Sequence, residues 1–272
     1  MSEQAEASLR FDLDTRQLAS EYDICSDYQY DVGLSLIEAV RISPRDRVLD
    51  VGAGTGRLAS YIADSVTREG LVLGIDPLKN RIDVARNIIA SNLEFSVGNA
   101  HDLSRFSSDY FDVVLLNCVF HWLQDHTQAL REIARVLKPG GLLGISTPSR
   151  NRSFSPFDIK RTVLSGENYR NYSRDMSEPV KMFTANEMSD LLNSSGFICR
   201  TISALPTTIK GQNSEDVMKL VQASSFGNYL EHLPENLRTA ASEEIQQSFD
   251  RLRTDSGIPL ELEMLVIVSV KN

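Results

Sequence analysis

One stretch constrains the fold more than any other: Val48-Leu49-Asp50-Val51-Gly52-Ala53-Gly54-Thr55-Gly56-Arg57-Leu58-Ala59. A short apolar run leads into three glycines at alternate positions, and an amphipathic helical pattern follows at once. That order predicts a strand, a tight turn and a helix, the opening unit of a nucleotide-binding α/β sheet. Glycine lets the backbone approach a ligand closely, and the helix start behind the turn offers N–H groups to an anion. A dinucleotide fingerprint would read G-x-G-x-x-G, with its third glycine where this chain has Arg57. Here the spacing is G-x-G-x-G, with Asp50 two residues before the first glycine.

The strand–helix alternation continues. Leu71–Asp76 is an apolar run closed by a carboxylate, as a buried parallel strand allows. Asp76 lies twenty residues after Gly56, where a carboxylate can accept both hydroxyls of a ribose; a helix N-cap is the other reading. Leu78–Ala90 reads as the next helix, Leu93–Val97 as strand three and Phe111–Leu116 as strand four. Thr127–Leu137 follows as a helix, Lys138-Pro139-Gly140-Gly141 as its stop and Leu142–Thr147 as strand five. Ahead of the glycine turn, Arg16–Ser26 and Asp31–Arg41 carry helical periodicity, and residues 1–13 are expected to be loosely ordered. Residues 148–181 hold prolines, glycines, aromatics and scattered cations, the composition of a loop or lid. Thr184 and Glu187 form a capping-box pair opening a helix. Phe197–Leu205 and Leu260–Val270 are the last two strands, and the helical connection between them, interrupted at 226–234, is too long for a turn.

The glycine turn, the Asp76 strand, the Phe111-Asp112 strand and Leu137-Lys138-Pro139-Gly140-Gly141 together resemble the class I S-adenosylmethionine (SAM) methyltransferases over about residues 45–148. The resemblance implies an α/β, Rossmann-like, seven-stranded, mostly parallel sheet with an antiparallel last strand. It also implies amino-terminal helices (1–44), a SAM-binding core (45–205) and a final core strand (259–272); the family joins its last two strands as a hairpin, so the long helical connection here leads to the expectation of a helical cap (206–258) over the active site. SAM is the cofactor it implies. The cofactor residues carried over are Asp50, Gly52, Ala53, Gly54, Gly56, Asp76, Pro77, Asn99, Ala100 and Asn117, with Tyr22 and Gln29 from the amino-terminal helices. Asn99 stands where family members often carry an acidic side chain, and Asp102 is a second candidate for that contact. Tyr22 has two readings, a cover for the cofactor or an amphipathic packing residue.

His121-Trp122-Leu123 falls at the carboxyl end of strand four, where an open parallel sheet binds its ligands. The segment is similar to one in methyltransferases of small carboxylic acids, including the malonyl-carrier-protein and trans-aconitate types. The expected substrate pocket is therefore Tyr22, His121 and Trp122, with His121 as candidate general base or as a histidine that only hydrogen-bonds. Trp122 reads equally as an apolar wall or as core. A bound carboxylate would need a cation, and Arg150, Arg152, Lys160 and Arg161 are the candidates. Cys118 aligns with a cysteine of arsenite methyltransferases, but the further cysteines of that family are absent, and As(III) prefers three sulfurs. Methylation of a small thiol, or of arsenic, is the alternative to oxygen methylation. A non-catalytic SAM-binding regulatory module is a third reading.

The composition narrows the partners. The 272-residue chain carries a formal net charge of −9, and no Lys/Arg run supplies the basic face that nucleic acid requires. Cys25, Cys118 and Cys199 are too few and scattered for a disulfide framework or a zinc site, so no metal is expected. The polar start and the lack of a membrane-length apolar run lead to the expectation of a cytoplasmic protein that does not touch membranes.

Overall fold

A computed structural model describes residues 9–66, 69–152, 154–172 and 180–272. Seven strands form one sheet: β1 (Arg47–Val51), β2 (Leu71–Asp76), β3 (Leu93–Val97), β4 (Phe111–Asn117), β5 (Leu137–Pro148), β6 (Phe197–Gly211) and β7 (Ile258–Lys271). Their order is β3-β2-β1-β4-β5-β7-β6. Strands β1 to β5 pair in parallel, and β7 runs antiparallel to β5, with Leu142 opposite Val270 and Pro148 opposite Met264. The seven-stranded, mostly parallel sheet expected from the sequence is the one observed.

The residues explain the layering. Side chains alternate across a strand, so neighbouring apolar residues in the central strands serve opposite faces. Val48, Val113 and Leu115 pack with Leu36, Val40, Leu58 and Ile62 from α2 (Asp27–Val40) and α3 (Arg57–Ser65). Leu49, Val114 and Leu116 face the other way, onto Leu130 and Ile133 of α5 (His126–Val136) and Met188 and Leu192 of α7 (Ala185–Ser194). Thr184 and Glu187 form the expected capping box at the start of α7. Among the described residues, no helix is long and apolar enough to cross a membrane.

The chain separates into two compact units. One comprises residues 27–151, 181–205 and 264–272 and contains the glycine turn. The other gathers 1–26, 152–180 and 206–263, of which 1–8, 153 and 173–179 lie outside the described residues. Within it, α1 (Arg16–Cys25) packs on α8 (Ser214–Ser224), and α6 (Ser155–Leu164) and α8 pack on α9 (Glu235–Asp250). Buried Val217, Leu220, Val221, Ala241, Ile245 and Phe249 are the apolar faces of α8 and α9. Two tyrosines lock this unit: Tyr169 donates to Glu244 Oε1 at 2.7 Å, and Tyr229 donates to the Pro156 carbonyl at 2.8 Å.

Four local expectations need correction. The helix expected at 78–90 is the shorter α4 (Lys79–Ala85), because Asn87 and Ile88 bond the carbonyls three residues back and tighten the chain out of the helix. Leu137–Gly141 is not a separate stop but the start of β5, carried as a bulge: Phe111 faces Leu137 while Val113 already faces Leu142. The loop expected across 148–181 contains α6. β6 continues past Leu205 to Gly211, and its place at the edge of the sheet tolerates Pro206.

Candidate functional site

All three glycines of the turn after β1 have left-handed backbones, with φ of 79° at Gly52, 55° at Gly54 and 87° at Gly56. An L-residue pays a steric penalty in that region, so the alternate spacing follows from the path of the chain. At Gly52 the space is also taken: a Cβ there would lie 2.1 Å from Val119 Cγ2. The turn is pinned to β2, since the Gly52 and Ala53 amides both donate to the Ile75 carbonyl at 2.7 and 3.0 Å. Gly56 caps α3 with backbone alone, leaving the helix start free of any side-chain cap.

Asp76, at the carboxyl end of β2, is 5% exposed. Its Oδ2 accepts from the Gly54 amide at 2.9 Å and its Oδ1 from the Leu78 amide at 2.8 Å. A carboxylate oxygen carries more than one lone pair, so accepting an amide does not by itself preclude accepting a hydroxyl. The carboxylate therefore ties the glycine turn to the start of α4 through Leu78, and Pro77 lies between them.

Asp50 is 1% exposed, and its Oδ2 has no hydrogen-bond partner. Burial, with the nearby Asp76 charge in second place, pushes its carboxyl up to about 7.

At the carboxyl end of β4, Asn117 Nδ2 donates to the Gln29 carbonyl on α2 at 2.8 Å, and its Oδ1 accepts from Ser146 Oγ on β5 at 2.6 Å. Cys118 follows with φ of 58°, a strained value for a side chain, and its amide donates to Ser146 Oγ at 2.9 Å. Burial pushes the Cys118 thiol up to about 12, so it stays protonated.

His121 and Trp122 sit in a short 3-10 turn, Phe120–Trp122, with rings 5.3 Å apart. His121 is 8% exposed, and its Nδ1 lies 3.5 Å from Thr147 Oγ1. Burial, and next the neighbouring His126, pull its pKa down to about 3. The imidazole is neutral near pH 7, and of the two readings offered by the sequence, a general base or a histidine that only hydrogen-bonds, the lowered pKa disfavours the first. The Lys181 amide donates to the His121 carbonyl at 2.9 Å.

The structure thus gathers Gln29, Asp50, Gly52, Ala53, Gly54, Gly56, Asp76, Pro77, Asn99, Ala100, Asn117, His121 and Trp122 in one unit, and Tyr22 lies on α1 of the other. Asn99 Oδ1 accepts from the His101 amide at 2.9 Å, Asp102 Oδ1 accepts from the Ser104 amide at 3.0 Å, and Ala100 is buried. Of the four cations, Arg150 pairs with Glu187, Arg152 with Glu261 and Arg161 with Asp158, while Lys160 is buried over the Tyr229 ring. Sequence reasoning missed Ser146, Thr147, Val119 and Gly33. The signal at Gly33 is its place on the buried stripe of α2, where a Cβ would press on Leu58 and Asn117.

Comparison with known proteins bears on the family and the fold. Residues 49–145 match the family model of a methyltransferase domain. Mouse arsenite methyltransferase is 34% identical over 158 residues, covering 53% of this chain and 41% of that protein. The ubiquinone/menaquinone biosynthesis C-methyltransferase UbiE of Vibrio campbellii is 35% identical over 136 residues, covering 46% of this chain and 52% of that protein. The chain thus spans about half the length, or less, of these curated relatives. In three dimensions the chain is similar to the YcgJ protein from Bacillus subtilis, with a TM-score of 0.59 at 19% identity, over 89% of this chain and 97% of that one.

Proposed function

We propose, from the premise that residues 49–145 are a class I SAM-dependent methyltransferase domain whose cofactor is S-adenosylmethionine, that this protein methylates a small molecule. The observation that carries the reading is the pair of buried carboxylates flanking the glycine turn, one with an orphaned oxygen and one holding the turn's amide. SAM carries an α-ammonium on its zwitterionic amino acid end and two ribose hydroxyls, and these two carboxylates fit those groups. Asp50 would face the α-ammonium, Asp76 would accept the hydroxyls, and Gly52, Ala53, Gly54 and Gly56 would let the backbone close on the ligand. Pro77, Asn99 and Ala100 would flank the base, and Asn117, Gln29 and Tyr22 would complete the enclosure. The division into an amino-terminal helical segment (1–44), a core (45–205), a cap (206–258) and a final strand (259–272) is part of this reading.

When bound, SAM supplies a methyl group already activated by its sulfonium, so the protein's task is alignment. The neutral His121 is then an orienting group: it can hydrogen-bond an acceptor, with Thr147 beside its Nδ1, but holds no proton-accepting power near neutrality. That favours an acceptor bringing its own lone pair as an anion, and a small organic acid methylated on oxygen suits it. Such an acid needs a cation, for which Arg150, Arg152, Lys160 and Arg161 are the candidates; the three arginines stand in exposed ion pairs, which contribute only about 0–1 kcal/mol. The arsenic alternative draws on the mouse relative. Against it stand the protonated Cys118 thiol and, among the described residues, the absence of any group of three His, Cys, Asp or Glu side chains able to hold a metal. A silent SAM-binding module remains the outcome if no acceptor turns over.

The test is a screen of small acids, thiols and phenols with labelled SAM, run beside binding calorimetry. Asp76→Ala is expected to weaken SAM binding by about 2–4 kcal/mol, the loss of two charge-assisted hydrogen bonds. Unchanged affinity in that variant sinks the cofactor assignment. For an acid acceptor, His121→Ala is expected to lower turnover only a few-fold with no change in profile across pH 6–9. A loss of about 10²–10⁴-fold would instead mark proton abstraction by His121.

A further inference from the structure

We infer that Ser146 is a positioning residue for the cofactor site: its hydroxyl holds the chain after β4 in the one conformation that closes on the glycine turn. The inference rests on the reading of that turn as the SAM site.

Ser146 lies on β5, directly paired with Asn117 of β4, and is fully buried. A serine hydroxyl has one hydrogen to give and two lone pairs to receive. Here it donates to Asn117 Oδ1 at 2.6 Å and accepts from the Cys118 amide at 2.9 Å, with the Ser146 carbonyl taking the same amide at 3.1 Å. The first bond fixes which way the Asn117 amide faces, so that its nitrogen meets the Gln29 carbonyl. Gly33 makes room for that nitrogen, since a Cβ there would stand 3.0 Å from it.

The second bond, shared with the Ser146 carbonyl, fixes the peptide plane that leads into Cys118, whose φ of 58° is a backbone that a cysteine reaches only when its surroundings over-determine it. The result is the direction of the next residue. Val119 is thrown onto Gly52, with its Cγ2 occupying the place a Cβ of Gly52 would take. One hydroxyl therefore orients a candidate cofactor residue, Asn117, and sets the wall over the first glycine of the turn. Nothing in the pattern of β5, an apolar strand ending in Ser-Thr-Pro, distinguishes this serine from an ordinary strand-end residue.

The experiment compares wild type, Asp76→Ala, Ser146→Ala, Ser146→Thr and Val119→Ala by calorimetric titration with SAM, thermal melting, and KM for SAM against kcat. Ser146→Ala is expected to raise Kd and KM for SAM roughly tenfold, the effect of leaving the Asn117 side-chain carbonyl without its hydroxyl donor and the Cys118 amide on the Ser146 backbone carbonyl alone, with kcat within about twofold. Ser146→Thr, which keeps the hydroxyl, is expected to restore the affinity. Wild-type affinity in Ser146→Ala overturns the inference, as does a Thr variant as weak as Ala at wild-type melting temperature. If Ser146→Ala does not fold, Val119→Ala carries the test: a raised Kd for SAM supports the role, and an unchanged one overturns it. A wild type that binds no SAM sinks the cofactor reading and this inference together. A wild type that binds, loses binding in Asp76→Ala and keeps it in Ser146→Ala sinks the inference alone.

Discussion

Asp50 and Asp76 lie on adjacent strands and differ in their partners: each Asp76 oxygen accepts a backbone amide, whereas Asp50 Oδ2 has no hydrogen-bond partner. The difference has a pH signature. With its carboxyl raised to about 7, Asp50 holds in the native protein a proton that it has lost in the unfolded chain between about pH 4 and 7. The Asp50 share of the stability of the ligand-free protein therefore falls as pH rises through that window, while the lowered imidazoles of His121, His126 and His232 act in the opposite direction below about pH 6.5. A cation bound against Asp50 favours the carboxylate, so binding should release a proton below about pH 7 and SAM affinity should rise from pH 6 to pH 8. Calorimetry in two buffers of different ionisation enthalpy is expected to register that proton, and Asp50→Asn to abolish the pH dependence. A flat wild-type profile would place the cation elsewhere. At this scale the sequence was legible wherever chemistry rode on a rigid spacing, as at Gly52, Gly54, Gly56 and Asp76. It was illegible where a role depends on a neighbour distant in sequence: the burial that disarms His121, and the hydroxyl of Ser146, are set by packing that no local pattern encodes.

Among the elements, β1, β2 and β4 were plain in the sequence because strands buried on both faces are unbroken apolar runs. α6 was hidden for a specific reason: its buried stripe is Pro156, Lys160 and Leu164, so a lysine stands where periodicity looks for a hydrophobe. The end of β6 was hidden by Pro206, which reads as a strand breaker unless the strand lies at an edge. The glycine turn is the element with the sharpest expected response to change. Gly52→Ala adds a methyl at φ 79°, costing about 1–2 kcal/mol in backbone alone, and drives it into Val119. The variant is expected to keep its far-UV circular dichroism and lose SAM binding. Retained binding would show that the turn can move without consequence.

On the scale of the whole molecule, charge bears on the choice of partner. A formal net charge of −9 works against association with a phosphate backbone. Fluorescence anisotropy with a labelled duplex is expected to show no association even at low salt, where non-specific binding is strongest. Saturable binding that weakens with salt would reveal a local basic face. The partition of the chain has a different kind of consequence. The unit made of 1–26, 152–180 and 206–263 is discontinuous in sequence, and its borders with the glycine-turn unit fall at five places along the chain. A single genetic crossover cannot exchange it, and a terminal truncation cannot remove it cleanly. Lineages built on this plan must diversify that unit by point substitution and by lengthening loops, not by trading an intact module. For laboratory evolution the same arithmetic applies: libraries belong in the three segments simultaneously, because recombination at any one border breaks the unit it is meant to transplant.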